Sequence, residues 1–167
     1  MGPRAELSLA AVLSGAAVTV LGHLAASALV LDGDLHAGNL RTALVWSPSG
    51  ALAAAGAAWL LAAWYRRAAA AGRRWLPAGM AARATVLALA LYPLAVALWL
   101  PASAGIDRWL DATPAMSWRE LWRWLPSVVL GATLAALIAG SVPAYASALP
   151  ICRRYLRRQA CSTTDPA

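Results

Sequence analysis

The chain has 167 residues, of which 61% are hydrophobic and 13% charged, and it carries a formal charge of +7. Soluble domains are roughly half apolar, so this composition, with a mean hydropathy of +0.61, excludes an ordinary water-soluble enzyme domain and indicates an integral membrane protein. The positive balance would suggest nucleic acid in a soluble protein, but here it lies beside apolar runs, so the expected anionic partner is the lipid bilayer.

About 20 helical residues cross a hydrocarbon core of about 30 Å. Four stretches are long and apolar enough, near residues 7–31, 47–64, 82–100 and 127–150. The expected fold class is all-α: one membrane domain forming an integral four-helix bundle, followed by a basic tail over residues 151–167. Every Lys or Arg position is Arg and Phe is absent. That bias fits a GC-rich bacterial genome, hence a bacterial inner membrane.

The first span follows Arg4. Its apolar run of about 25 residues exceeds the 7 to 15 of a signal-peptide core, so it is read as retained, although Ala25-Ala26-Ser27-Ala28 would suit a signal peptidase. Within it His23 is the one imidazole in any span, and ionisable groups there are costly and often functional. Its helical neighbours Gly15, Thr19, Gly22, Ala26 and Ser27 are small or polar, so another helix can come close. A neutral, hydrogen-bonded packing role is the main expectation for His23. A proton relay or a metal or haem ligand is the alternative, and a lone intramembrane His excludes a two-His haem site within one chain.

The following loop contains Asp32, Asp34 and His36, whose carboxylates and imidazole suit a divalent cation. Asp-Gly-Asp is equally a helix-ending turn. Asp107 and Asp111 of the third loop would join the same face and make a fuller ligand set.

Trp-x-Pro recurs four times, at Trp46-Ser47-Pro48, Trp75-Leu76-Pro77, Trp99-Leu100-Pro101 and Trp124-Leu125-Pro126. Trp favours the headgroup border, and Pro is tolerated in the first helical turn, where its missing N–H has no partner to lose. The triplets therefore read as span markers, three opening a span and Trp99-Leu100-Pro101 closing one. Trp46 to Trp64 is about 27 Å of helix and Trp124 to Tyr145 about 31 Å, each near the hydrocarbon thickness. Trp46, Trp64, Trp75, Trp99, Trp118, Trp122 and Trp124 are the expected interfacial anchors. The shared Trp-x-Pro-Ser at residues 46–49 and 124–127 hints weakly at a two-hairpin repeat.

Pro93 and Pro143 should interrupt the third and fourth spans and free the carbonyls of Leu89 and Ala139. Tyr92 and Tyr145 lie nearby, with hydroxyls able to satisfy such groups. With His23, Thr19 and Ser27 they form a candidate intramembrane polar site. Before the fourth span, Trp118, Leu121, Trp122 and Leu125 fall on one helical stripe, and Ser117 with Glu120 forms a capping box. A short amphipathic helix lying on the membrane surface is expected.

Arg66, Arg67, Arg73 and Arg74 fill the second loop, and Arg153, Arg154, Arg157 and Arg158 follow the fourth span. The positive-inside rule then makes both termini cytoplasmic. Cys152 and Cys161 would lie in that reducing compartment as structural or incidental thiols.

No paired intramembrane carboxylates, catalytic triad order or phosphate-binding glycine loop occurs, so catalysis is not expected. Gly15, Gly22, Gly56, Gly131 and Gly140 favour close helix contacts. The leading expectation is a subunit, stabiliser or assembly partner in a larger membrane complex, or a self-associating bundle. An oligomeric small-molecule or lipid transporter with Pro-kinked helices is the alternative. A metal- or haem-binding membrane protein using His23 or the Asp32 to His36 loop comes third.

Overall fold

The computed structural model describes residues 2–30, 37–110 and 117–162. Among the described residues the fold is all-α, with no strand: α1 (Pro3–Val30), α2 (Ala37–Ala70), α3 (Pro77–Trp109), α4 (Trp118–Ala135), a π-turn (Ala136–Gly140) and α5 (Ser141–Ser162). The last three form one continuous rod, so the bundle has four long helices, each long and apolar enough to cross a membrane. Neighbours pack in a ring, α1 on α2, α2 on α3, α3 on the fourth rod, and the rod back on α1.

Each helix outruns its apolar stretch. The fourth candidate span, Trp118–Ala160, has 43 residues, about 64 Å of rise against about 30 Å of hydrocarbon, so its ends stand outside any bilayer. Apolar composition ends where water begins, but the helix continues on its own hydrogen bonds. The basic segment that begins at residue 151 is helical through Ser162, and its Cys152 and Tyr155 are buried in the main core. That core joins Leu7 of α1, Leu61 and Ala62 of α2, and Met80 and Ala81 of α3. Both ends of the described chain therefore sit at one end of the bundle, which also carries most of the arginines. We call it the basic end.

Two devices tie the basic end together. Glu6 on α1 pairs with Arg154 and Arg158 on α5, each at 2.6 Å. Between α2 and α3 the chain reverses at Gly72, whose φ of +71° is the left-handed conformation glycine accepts without a Cβ clash. Gly72 N–H donates to Ala69 O and Arg73 N–H to Ala68 O, both at 2.9 Å, the paired bonds of a Schellman ending. Trp75 then folds back edge-on to Trp64 and Tyr65, with ring centroids 5.5 and 5.6 Å away. The Arg83 guanidinium lies 4.4 Å from the Trp75 centroid and 5.6 Å from that of Trp64.

Only one triplet begins a helix as expected: Pro77 is the first residue of α3, after Leu76. Pro48, Pro101 and Pro126 lie inside helices. At Pro48 the reason is visible. Its missing N–H leaves the Leu44 carbonyl without a backbone donor, and the Ser47 hydroxyl donates to that carbonyl at 2.8 Å. The next two carbonyls are also served, Val45 by the Trp99 indole N–H at 2.7 Å and Trp46 by the Ser49 hydroxyl at 2.7 Å. Side chains and a neighbouring helix thus supply the donors a membrane cannot. Trp99 acts as a latch between α2 and α3.

Pro93 does not interrupt α3, which continues to Trp109. Pro143 does perturb the fourth rod. Its ring would press on the Ala139 carbonyl of a regular helix, and Ala139 lies within the wider π-turn.

The separate surface helix is also corrected. Trp118 to Pro126 is the opening of α4, continuous with the rest of that helix. Its capping box is present, with Ser117 N–H donating to Glu120 Oε2 at 2.9 Å and Glu120 N–H to Ser117 Oγ at 3.3 Å. The Ser117 backbone bond, followed by that of its hydroxyl, holds the Glu120 carboxyl below its usual range. Leu121 is buried, Arg108 stacks over Trp118 at 4.3 Å, and α4 packs on α3. The stripe is thus partly used within the bundle.

Candidate functional site

An apolar cavity of about 390 Å³ runs along the bundle axis, lined by all four long helices. Its origin lies in residue size. On α1 the inward stripe is Leu7, Ala11, Ser14, Gly15, Val18, Gly22 and Ala26; α2 offers Gly50, Ala53, Ala54 and Ala57; α4 and the π-turn add Ala132, Ala135, Ala136 and Gly140. These recur every three or four residues, so each helix turns a small-residue face to the axis. Four such faces cannot fill the space between them.

Close contact occurs at one level, where α1 crosses α2. A Cβ built on Gly15 would lie 2.5 Å from Gly50 O and 2.6 Å from Ala54 Cβ, and one on Gly50 would lie 2.5 Å from Gly15 O and against Thr19 Oγ1. Of the expected packing glycines, Gly15 is at backbone contact and Gly56 meets Leu91 at 3.0 Å. Gly22 and Gly131 face open space, and the nearest atom to Gly140 is Ala136 Cβ at 3.9 Å. Gly22 and Gly140 help line the cavity instead, whereas Gly131 is exposed and outside the lining.

Three of the lining hydroxyls are bonded within their own helices. Thr19 donates to Gly15 O at 2.9 Å, Thr85 to Ala81 O at 3.0 Å and Ser147 to Ala144 O at 3.0 Å. Such back-bonds leave mainly methyl and methylene surface facing the lumen. Leu61, Met80 and Cys152, each essentially inaccessible, close the basic end. Away from that floor the lining includes His23, Trp46 and Tyr92, which carry N–H and O–H groups.

The candidate polar set is therefore only partly assembled. Thr19, His23 and Tyr92 share the cavity. Ser27 is buried but does not line it, and Tyr145 is 37% exposed and outside the lining. Trp46, expected as a border anchor, is half-buried and faces the cavity; Trp64, Trp118, Trp122 and Trp124 remain exposed. Asp32, Asp34, His36 and Asp111 lie outside the described residues. Among the described residues no three His, Cys, Asp or Glu side chains converge as a metal site. The sequence pattern misses Gly50 as the partner of Gly15, the Glu6 clamp and the small-residue lining of α2 and α4. The signal was the periodicity of Ala and Gly, which reads equally as tight packing.

Fold and cavity together define a class: an all-helical, multi-pass membrane protein built around an axial apolar cavity. Comparison with protein-family models, with curated proteins and with solved structures finds no match.

Proposed function

We propose that this protein takes a lipophilic small molecule into its axial cavity and carries it within or across the membrane. The observation that supports this reading best is the cavity itself. At about 390 Å³ it lies in the range of ligand pockets, which are largely apolar with a few placed polar groups. Here those groups are His23, Trp46 and Tyr92. The Pro143 π-turn beside the cavity supplies a place where the fourth rod can flex.

In this reading the membrane is a bacterial inner membrane and the basic end faces the cytoplasm, because arginine-rich segments stay on that side. The reading is tested by solvent extraction and mass spectrometry of protein purified from native membranes in mild detergent. A lipophilic compound at near one per chain is the expected result; no such compound in repeated preparations overturns it. For transport, His23→Ala in vesicles should lower flux at least tenfold, and unchanged flux removes His23 from the path.

A second reading, an assembly partner in a larger membrane complex, draws support from the far end of the α3–α4 hairpin. Trp109 is 84% exposed and Trp122 60% exposed, with Arg119 and Arg123 exposed beside them. Exposed Trp and Arg are the residues protein interfaces favour. A stoichiometric protein in the same purification would select this reading.

A further inference from the structure

We propose that the cavity's occupant is a single-chain lipid, a fatty acid, which enters sideways from the bilayer between α1 and α4 with its chain end toward the basic floor. The inference rests on the lipophile-binding reading above and narrows it to one shape of ligand.

Shape comes first. The lining extends from Leu7 to Ala26 on α1, nineteen helical steps or about 28 Å. A cavity of about 390 Å³ drawn out over that length is elongated rather than compact, the shape of one extended acyl chain. Chemistry agrees. With Thr19, Thr85 and Ser147 bonded to their own backbones, the long part of the lumen offers mainly methyl and methylene groups, the Ser14 hydroxyl apart. A polar group placed there would lose its water without replacement.

The route follows from how the ring of helices closes. α1 packs along α2 and meets the fourth rod through the π-turn and α5, but α1 and α4 scarcely touch. The wall is therefore open in the half of the bundle away from the basic end. Gly22 borders this half, and a Cβ there would meet nothing within 4 Å. His23 and Trp46 line the same part. An entering chain would slide toward Leu61, Met80 and Cys152, where the core stops it, while its carboxyl group accepts hydrogen bonds from the imidazole and indole N–H groups.

The test is saturable binding of radiolabelled palmitic acid to the full chain in nanodiscs, with a rigid four-ring sterol and a diacyl phospholipid as competitors. Gly22→Leu places a side chain in open lumen, while Gly131→Leu places one on the exposed outer side as the control. Both should keep wild-type helicity by far-UV circular dichroism, because Leu is the better helix former. One palmitate per wild-type chain, at least tenfold weaker binding in Gly22→Leu, no change in Gly131→Leu and no competition by either other lipid would support the proposal. Sterol binding that Gly22→Leu abolishes, without palmitate binding, overturns the single-chain inference and leaves the lipophile reading standing. Diacyl lipid that displaces palmitate overturns the fatty-acid assignment. No saturable binding of any probe, or equal behaviour of the two glycine variants, overturns the inference and the reading beneath it.

Discussion

Replacing Gly50 by Ala adds one methyl group at the crossing of α1 and α2. That Cβ would lie 2.5 Å from Gly15 O, about 0.9 Å short of the 3.4 Å at which ordinary contact begins, in an interior without slack. The obstructing atom belongs to the α1 backbone and cannot rotate away. Both helices must move apart, or the Thr19 side chain and the α1 backbone must shift together. Overpacking of this kind costs about 1–3 kcal/mol, and the better helix propensity of Ala returns up to about 1 kcal/mol. The expected net loss is about 1–2 kcal/mol, roughly a 5- to 30-fold drop in the folded-to-unfolded ratio. Unfolding in mixed micelles with rising dodecyl sulfate, followed by far-UV circular dichroism, measures it. Gly22→Ala is the internal control, since its methyl group enters open space and should leave stability unchanged or raise it slightly. If Gly50→Ala unfolds at the same detergent fraction as Gly22→Ala, the crossing is not the close contact described.

Further predictions concern the two ends of the bundle and its orientation. Glu6→Gln should weaken the α1–α5 clamp by about 1 kcal/mol or less, because Arg154 and Arg158 are 68% and 48% exposed and surface pairs are screened; a larger loss that persists in high salt would show the clamp to be more than an exposed ion pair. Trp99→Phe removes the indole bond to Val45 O that joins α3 to α2 and should cost about 1 kcal/mol in the same titration, whereas wild-type stability would mean that this bond between the helices contributes nothing. In a background of Cys152→Ala and Cys161→Ser, Arg73→Cys should react with a membrane-impermeant maleimide only after cells are opened. Labelling in intact cells would reverse the orientation.

The fold class was legible because membrane insertion is decided by local composition: apolar runs of sufficient length read directly as four helices. Helix ends were not legible from hydropathy, since the Arg153 to Arg158 segment is polar outward while Cys152 and Tyr155 on its inner face complete the core. Proline positions misled for a related reason. Rules for Pro in a first turn assume that no other donor is available, and Ser47, Ser49 and Trp99 supply donors around Pro48, one of them 54 residues away in sequence. The cavity was hidden because small residues at helical spacing are the signature both of tight helix contacts and of an empty axis. Gly15 and Gly22 stand seven residues apart on the same stripe, one pressed against α2 and the other facing open space. Which occurs depends on how the helices cross.

The most direct test is the bundle's structure determined in lipid nanodiscs at a resolution that shows side chains. The expected result is α1 held away from α4, with one elongated non-protein density between the level of His23 and the floor at Leu61 and Cys152. A bundle closed onto its axis, with α1 against α4 and no space beside Gly22, would contradict the cavity and the function built on it.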